Sequence, residues 1–198
     1  HEEDEYHLRE VRLAEACSRK RRYIVERALE YLRTGQKVAV LTSRRAVAEA
    51  WALALSKHLP KVTGSWIHGG LSEHARDDAI AAFAVHPGPC FLVGTGQSIG
   101  TSKDGLHKAH YACIGMLPVK PGELVQWLGR FGRLGGERTL IEVPIAEGTY
   151  DERQVAMLVR KFGPIEKFVD SPELTGLAEQ LEGLDDPGLI DSILRKIG

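Results

Sequence analysis

Lys37-Val38-Ala39-Val40-Leu41-Thr42-Ser43-Arg44-Arg45 decides how this chain is read. Val38 to Leu41 form a short apolar run of strand length, and Gly35 and Ser43 punctuate its two ends. Upstream the period is different: Ile24, Ala28, Leu29 and Leu32 recur at helical spacing across Ser18 to Thr34, and Gly35 fits the residue that closes such a helix. Downstream, Ala46 to His58 places Val47, Ala50, Trp51, Ala54 and Leu55 on one helical face. The pattern then repeats. Val62 to His68 reads as a strand stopped by Gly69-Gly70, and Ser72 as the N-cap of a helix running to Phe83. Pro87-Gly88-Pro89 turns the chain into a third strand, Cys90 to Val93, followed by a glycine-rich loop from Gly94 to Gly105. Tyr111 to Met116 is a fourth strand, Gly122 to Leu134 is largely helical, Thr139 to Pro144 is a fifth strand, and Asp151 to Phe162 a further helix. Strands alternating with helices predict an α/β fold with a mainly parallel sheet covered on both faces.

The ends differ from this body. Residues 1–18 are charged and weakly amphipathic, a linking helix that opens on His-Glu-Glu-Asp-Glu and reads as a cut point. Residues 19–168 carry the alternating pattern. Residues 169–198 read as a helical appendage, with Ser171-Pro172 and Asp186-Pro187 each pairing a cap with Pro at the first helical position. At 198 residues and 43% hydrophobic content the chain can bury a substantial core. Its net charge of −1 exerts no global pull on nucleic acid or an anionic membrane, so any such binding needs a local basic patch. Cys17, Cys90 and Cys113 fit neither a zinc pattern nor a disulfide framework, and Cys90 and Cys113 read as core thiols of a reducing compartment. His107 and His110 lack further ligands, so no metal site is expected. No apolar run approaches the ~20 residues of a membrane span and no signal peptide is visible. The expected setting is intracellular, cytoplasmic for a bacterial or phage protein, with no membrane partner.

In a parallel sheet, chemistry gathers beyond the C-terminal ends of the strands. Polar and glycine-rich clusters recur there. Thr42-Ser43-Arg44-Arg45 offers hydroxyls and guanidinium groups suited to a phosphodiester backbone, or simply a capped helix with exposed charges. His68-Gly69-Gly70-Leu71-Ser72, with Arg76 one turn on, lets a phosphate approach backbone amides, or is a plain turn. The loop Gly94 to Leu106 holds Thr95 and Ser98 as donors and Asp104 as an acceptor for a ribose hydroxyl. It lacks the spacing of a phosphate-binding P-loop. Gln126-Trp127-Leu128-Gly129-Arg130-Phe131-Gly132-Arg133 sets two guanidinium forks three residues apart, on one face if helical. That is a candidate polyphosphate clamp, although paired arginines are also common on solvated helix faces. Ser18-Arg19-Lys20-Arg21-Arg22, the most basic run, reads as a solvated helix face, with contact to nucleic acid as the alternative.

Taken in order, these clusters resemble the second, C-terminal RecA-like lobe of superfamily 2 helicases, in the Swi/Snf-like DNA translocase subgroup, over about residues 20–165. Thr42-Ser43-Arg44 resembles that family's fourth motif. His68-Gly69-Gly70-Leu71-Ser72 with Arg76 resembles its HGGLS element, and Gly100-Thr101-Ser102-Lys103-Asp104-Gly105-Leu106 its fifth motif. Gln126, Gly129, Arg130 and Arg133 resemble its sixth motif, and Gly148-Thr149-Tyr150-Asp151-Glu152 the segment after the last strand. Three places depart from the Swi/Snf pattern: Arg133-Leu134-Gly135-Gly136 stands for R-I-G-Q, Pro118-Val119-Lys120-Pro121 for W-x-P, and Lys103 for an apolar residue.

The resemblance implies a RecA-like three-layer sandwich with short C-terminal helices, working as one half of an ATP-dependent DNA motor. No Walker A and no D-E-x-[HD] sequence occurs in the chain, and in the family these belong to the first lobe. ATP and Mg²⁺ are therefore expected to bind jointly with a first RecA-like lobe, and this chain alone is expected to be inactive. Arg133 would be an arginine finger supported by Arg130, with Gln126 orienting the nucleotide or the attacking water. Gly100, Asp104 and Gly129 would lie on the nucleotide side. Thr42, Ser43, Arg44, His68, Gly69 and Thr95 would face single- or double-stranded DNA. Arg130 and Arg133 are expected to point outward, exposed. A non-catalytic RecA-like module that only grips nucleic acid or protein has no need of the Gln126, Arg130 and Arg133 set. A nucleotide-sugar-binding lobe does not account for the ordered clusters.

Overall fold

The computed structural model describes residues 18–100, 105–131 and 138–166. Residues 1–17 of the expected linking helix, the whole of the expected appendage, and Arg133 and Asp104 lie outside those residues. The described chain divides into two compact units, residues 18–116 with 126–144, and residues 117–125 with 145–166.

The first unit holds the sheet. Helix α1 (Ser18–Arg33) leads into β1 (Val38–Thr42), followed by α2 (Arg45–His58), β2 (Thr63–Ile67), α3 (Glu73–Val85), β3 (Cys90–Thr95), the short α4 (Gly96–Gly100), a 3₁₀ turn at Leu106–Lys108, β4 (Tyr111–Ile114), α5 (Pro121–Gly129), of which only residues 126–129 belong to this unit, and β5 (Leu140–Glu142). All pairings are parallel, in the order β2-β3-β1-β4-β5. The caps fall where local chemistry puts them: Gly35, at φ 86°, follows α1 in a left-handed conformation that favours glycine, and Ser72 Oγ accepts from the Ala75 N–H, 3.2 Å away, at the start of α3.

Both faces of the sheet are covered, which accounts for β1's uninterrupted apolar run. Val38, Val40, Phe91, Val93, Tyr111 and Cys113 share one face and pack with Ile24, Ala28, Leu29, Leu32, Val47, Trp51 and Leu55 from α1 and α2. Ala39, Leu41, Leu92, Ala112 and Ile114 alternate onto the opposite face and are fully buried, with α3 packed against β2 and β3 through Ile80 and Phe83. The result is the expected three-layer α/β architecture. Cys90 and Cys113 are buried free thiols, and burial pushes the Cys113 thiol up to about 12.

A polar cluster ties β5 to α1. The Glu142 carboxylate accepts from Tyr111 Oη at 2.8 Å, from Arg27 Nη2 at 2.7 Å and from Tyr23 Oη at 3.3 Å, while Tyr31 stacks on Tyr111 with ring centroids 4.2 Å apart. Burial alone would raise the Glu142 pKa. The hydrogen bonds from Arg27 and Tyr111 outweigh it and hold the carboxyl below its ordinary value of 4.5. The stabilisation is therefore present above pH 4.5 and fades as pH falls through the lowered folded value. Glu142→Gln is expected to cost about 2 kcal/mol at pH 7, since the pair is part-exposed and falls short of a fully buried one. Urea unfolding of both proteins at pH 7 and pH 3 checks this: the gap narrows in acid, and an equal gap at both pH values counts against the account.

The second unit comprises residues 117–125 and helix α6 (Tyr150–Glu166) with the loop before it. Gln154 Nε2 donates to the Leu117 carbonyl at 2.6 Å, and Asp151 Oδ2 accepts from the Ala146 N–H at 3.0 Å.

Candidate functional site

The parallel register brings the predicted clusters of the first unit to one sheet edge. Thr42 is level with Thr95, and Ile67 with Gly94, so Ser43, His68 and Gly96 leave three neighbouring strands side by side. The structure also resolves part of the expected glycine-rich loop into regular elements: Gly94-Thr95 ends β3, and Gly96–Gly100 forms α4. The glycines that suggested a flexible connector are instead points of close packing. A Cβ on Gly94 would lie 2.6 Å from Ile67 Cγ1, and one on Gly105 would lie 2.6 Å from Ile80 Cγ2.

Thr42 is fully buried, and its Oγ1 accepts from the Arg44 N–H at 3.3 Å. The hydroxyl thus shapes the turn into α2 and leaves Ser43 and Arg44, both half-buried, at the edge. Thr95 Oγ1 and Ser98 Oγ are 2.7 Å apart, both buried. Gly69 is exposed on the neighbouring loop, where a Cβ would lie 3.9 Å from Ser98 Oγ. His68 is 8% exposed, stacks on Trp66 with centroids 4.3 Å apart, and accepts the Gly70 N–H on Nδ1 at 3.0 Å. Burial, then the Arg45 charge, lowers its pKa, with Glu49 acting in the opposite direction. A neutral ring suits the acceptor role of Nδ1.

The last turn of α5 is held against this edge by a glycine. A Cβ on Gly96 would lie 1.7 Å from Trp127 Cε2, so the 2%-exposed indole occupies the space a side chain would need. With Trp127 and Phe131 both buried, Gln126 and Gly129 are left exposed on α5, and nothing lies within 4 Å of a Cβ placed on Gly129. Arg130 corrects an expectation: it is half-buried, because the buried aromatics on either side draw the end of α5 onto the sheet. Its backbone N–H donates to the Trp127 carbonyl at 3.2 Å. Gly100 closes α4. Among the described residues no group of three or more His, Cys, Asp or Glu could hold a metal ion, and no helix is long and apolar enough to cross a membrane.

Arg45 and Gly70 belong to the strand-end clusters already read from the sequence, while the roles of Trp66 and Trp127 as the surfaces that seat Arg45 and fill the space beside Gly96 arise only from contacts distant in the chain.

Solved structures share this fold. The C-terminal part of the Fun30 ATPase domain is similar over 79% of this chain and 48% of its own, at 16% identity and a TM-score of 0.54. The C-terminal domain of the DEAD-box protein Dbp5 is similar over 82% of this chain and 91% of its own, at 15% identity and a TM-score of 0.56. The fold is a RecA-like three-layer α/β sandwich. A further RecA-like lobe, the Sulfolobus solfataricus SWI2/SNF2 ATPase C-terminal domain, covers 77% of this chain and 60% of its own, at 20% identity and a TM-score of 0.51. This chain thus spans about half the length of the Fun30 structure. DEAD-box and SWI2/SNF2 domains match alike, so the likeness is one of fold and selects no Swi/Snf subgroup. No family model matches the chain.

Proposed function

We propose that this chain is the C-terminal motor lobe of an ATP-dependent DNA helicase or translocase, Swi/Snf-like in its motifs, which works with a first RecA-like lobe on the same or another polypeptide. The observation that carries the reading is the placement of α5, with Gln126 and Arg130, against Gly96 on the strand-end edge where Ser43, Arg44, Gly69, Thr95 and Ser98 converge. A RecA-like lobe that merely binds needs no arginine-bearing helix beside its hydroxyl and glycine cluster.

In this reading ATP and Mg²⁺ are bound between the lobes, the first lobe supplying the phosphate cradle and the metal-binding carboxylates. ATP supplies the phosphoryl group whose transfer to water drives the motor. This chain contributes Arg133 as the finger that stabilises charge on the transferred phosphoryl, Arg130 to support it, and Gln126 to orient the nucleotide or the attacking water. Gly100, Asp104 and Gly129 border the nucleotide. Ser43, Arg44, His68, Gly69 and Thr95 form the DNA side, with Thr42 holding the turn that presents Ser43 and Arg44. Lobe closure and reopening then shift one DNA grip relative to the other.

The test is reconstitution. The purified chain is expected to hydrolyse no ATP above buffer, and to support DNA-stimulated hydrolysis when joined to a first lobe bearing Walker A and D-E-x-[HD] sequences. Turnover by the chain alone, surviving further purification, would sink the reading.

A further inference from the structure

We propose that Arg45 is a phosphate-binding residue of the nucleic-acid face, seated by Trp66, His68 and the absent side chain of Gly70. This rests on the DNA-binding reading above and adds to it a defined seat for the second arginine of the Thr42-Ser43-Arg44-Arg45 run, built by residues of the neighbouring strand and loop.

Four observations converge on Arg45. It is exposed at the first position of α2, its guanidinium lying over Trp66 at 6.0 Å from the ring centroid. Among the described residues no carboxylate forms an ion pair with it, so its donors remain available to an anion. Gly70 opens the notch in which it sits: a Cβ there would be 3.2 Å from Arg45 Nη1 and 2.9 Å from His68 Nδ1. The notch adjoins exposed Gly69, beside the Thr95–Ser98 hydroxyl pair.

A guanidinium resting on an aromatic face is already ordered, so it loses less freedom on gripping a phosphate than a free side chain would. Trp66 and His68 stack on each other, and His68 is buried. The aromatic pair therefore backs the arginine and presents no open imidazole platform for a base, which favours contact with the backbone over readout of sequence. The competing explanation is that Arg45 only covers the indole with its methylene stem.

The two accounts separate in the salt dependence of binding. Anisotropy titrations of the 198-residue chain with fluorescein-labelled DNA, duplex and single-stranded in parallel, would be run from 50 to 200 mM salt. Arg45→Ala is expected to weaken binding roughly tenfold at low salt and to flatten the log–log salt slope by about 0.9 on duplex or 0.7 on single strands, the loss of one phosphate contact. Arg45→Lys should retain most of the slope with lower affinity. Gly70→Ala should weaken binding in the wild-type background and have no further effect beside Arg45→Ala, the signature of action through that guanidinium. An unchanged slope in Arg45→Ala, while Arg44→Ala flattens it, overturns the assignment and leaves the DNA-binding reading standing. No binding of either probe by the wild-type chain overturns both.

Discussion

Arg133→Ala, in a protein carrying both lobes, is expected to lower ATP turnover by about 10³–10⁵, or roughly 4–7 kcal/mol of transition-state stabilisation. The physical reason is that charge on the transferred phosphoryl is met by a guanidinium fork that water cannot replace at the same geometry. DNA affinity without nucleotide and the unfolding midpoint should both stay close to wild type, since the finger acts only where nucleotide is present. Arg133→Lys separates charge from shape: a lysine that restores turnover would show that a point charge suffices. Arg130→Ala is expected to be milder in turnover and harsher on the fold, because Arg130 is half-buried at the end of α5. Near-normal hydrolysis in Arg133→Ala would remove the arginine finger from the mechanism.

Gly96→Ala is expected to destabilise the chain by about 3 kcal/mol, at the upper end of the cost of overpacking. The added Cβ would fall inside the Trp127 ring, 1.7 Å from Cε2 and 1.9 Å from Cζ2. The indole is 2% exposed and has nowhere to retreat. Relief should come from the other side of the contact: Trp127→Leu, costly alone through lost burial, should cost much less in the Gly96→Ala background. Urea unfolding of the four proteins forms a double-mutant cycle, with a coupling of at least about 1 kcal/mol expected for groups in direct contact. Additive effects would mean that Gly96 does not seat α5. In the two-lobe protein the same substitution should depress ATP turnover at temperatures where the fold persists, because Gln126 and Arg130 ride on that helix.

Gly96 also shows where sequence reading reached its limit. Thr95 and Gly96 read as the start of a glycine-rich loop, because glycine's backbone freedom is a local property. Yet β3 extends through Thr95, and Gly96 opens a helix, because the space above it is claimed by a tryptophan 31 positions further along. Gly70 has the same lesson on a smaller scale: it read as half of a strand-stopping pair, while the structure has it clearing room for Arg45 beside His68. Thr42 read as a surface donor, and its hydroxyl turned inward to the Arg44 N–H.

The succession of elements and the parallel sheet are legible in local sequence pattern alone. Apolar periods of two kinds, punctuated by Gly35, Ser72 and Pro87-Gly88-Pro89, are set by backbone geometry and local capping, which need no distant partner. The ordered motifs likewise placed Ser43, Arg44, His68, Gly69 and Thr95 at strand ends and Gln126 on the helix that follows the fourth strand. Only the tertiary structure decided which of these groups share an edge, which hydroxyls turn inward, and which glycines are occupied by a neighbour's ring. The strand order β2-β3-β1-β4-β5 and the meeting of Gly96 with Trp127 depend on long-range packing, where volume and burial are satisfied jointly by residues far apart in the chain. No local pattern encodes that joint condition.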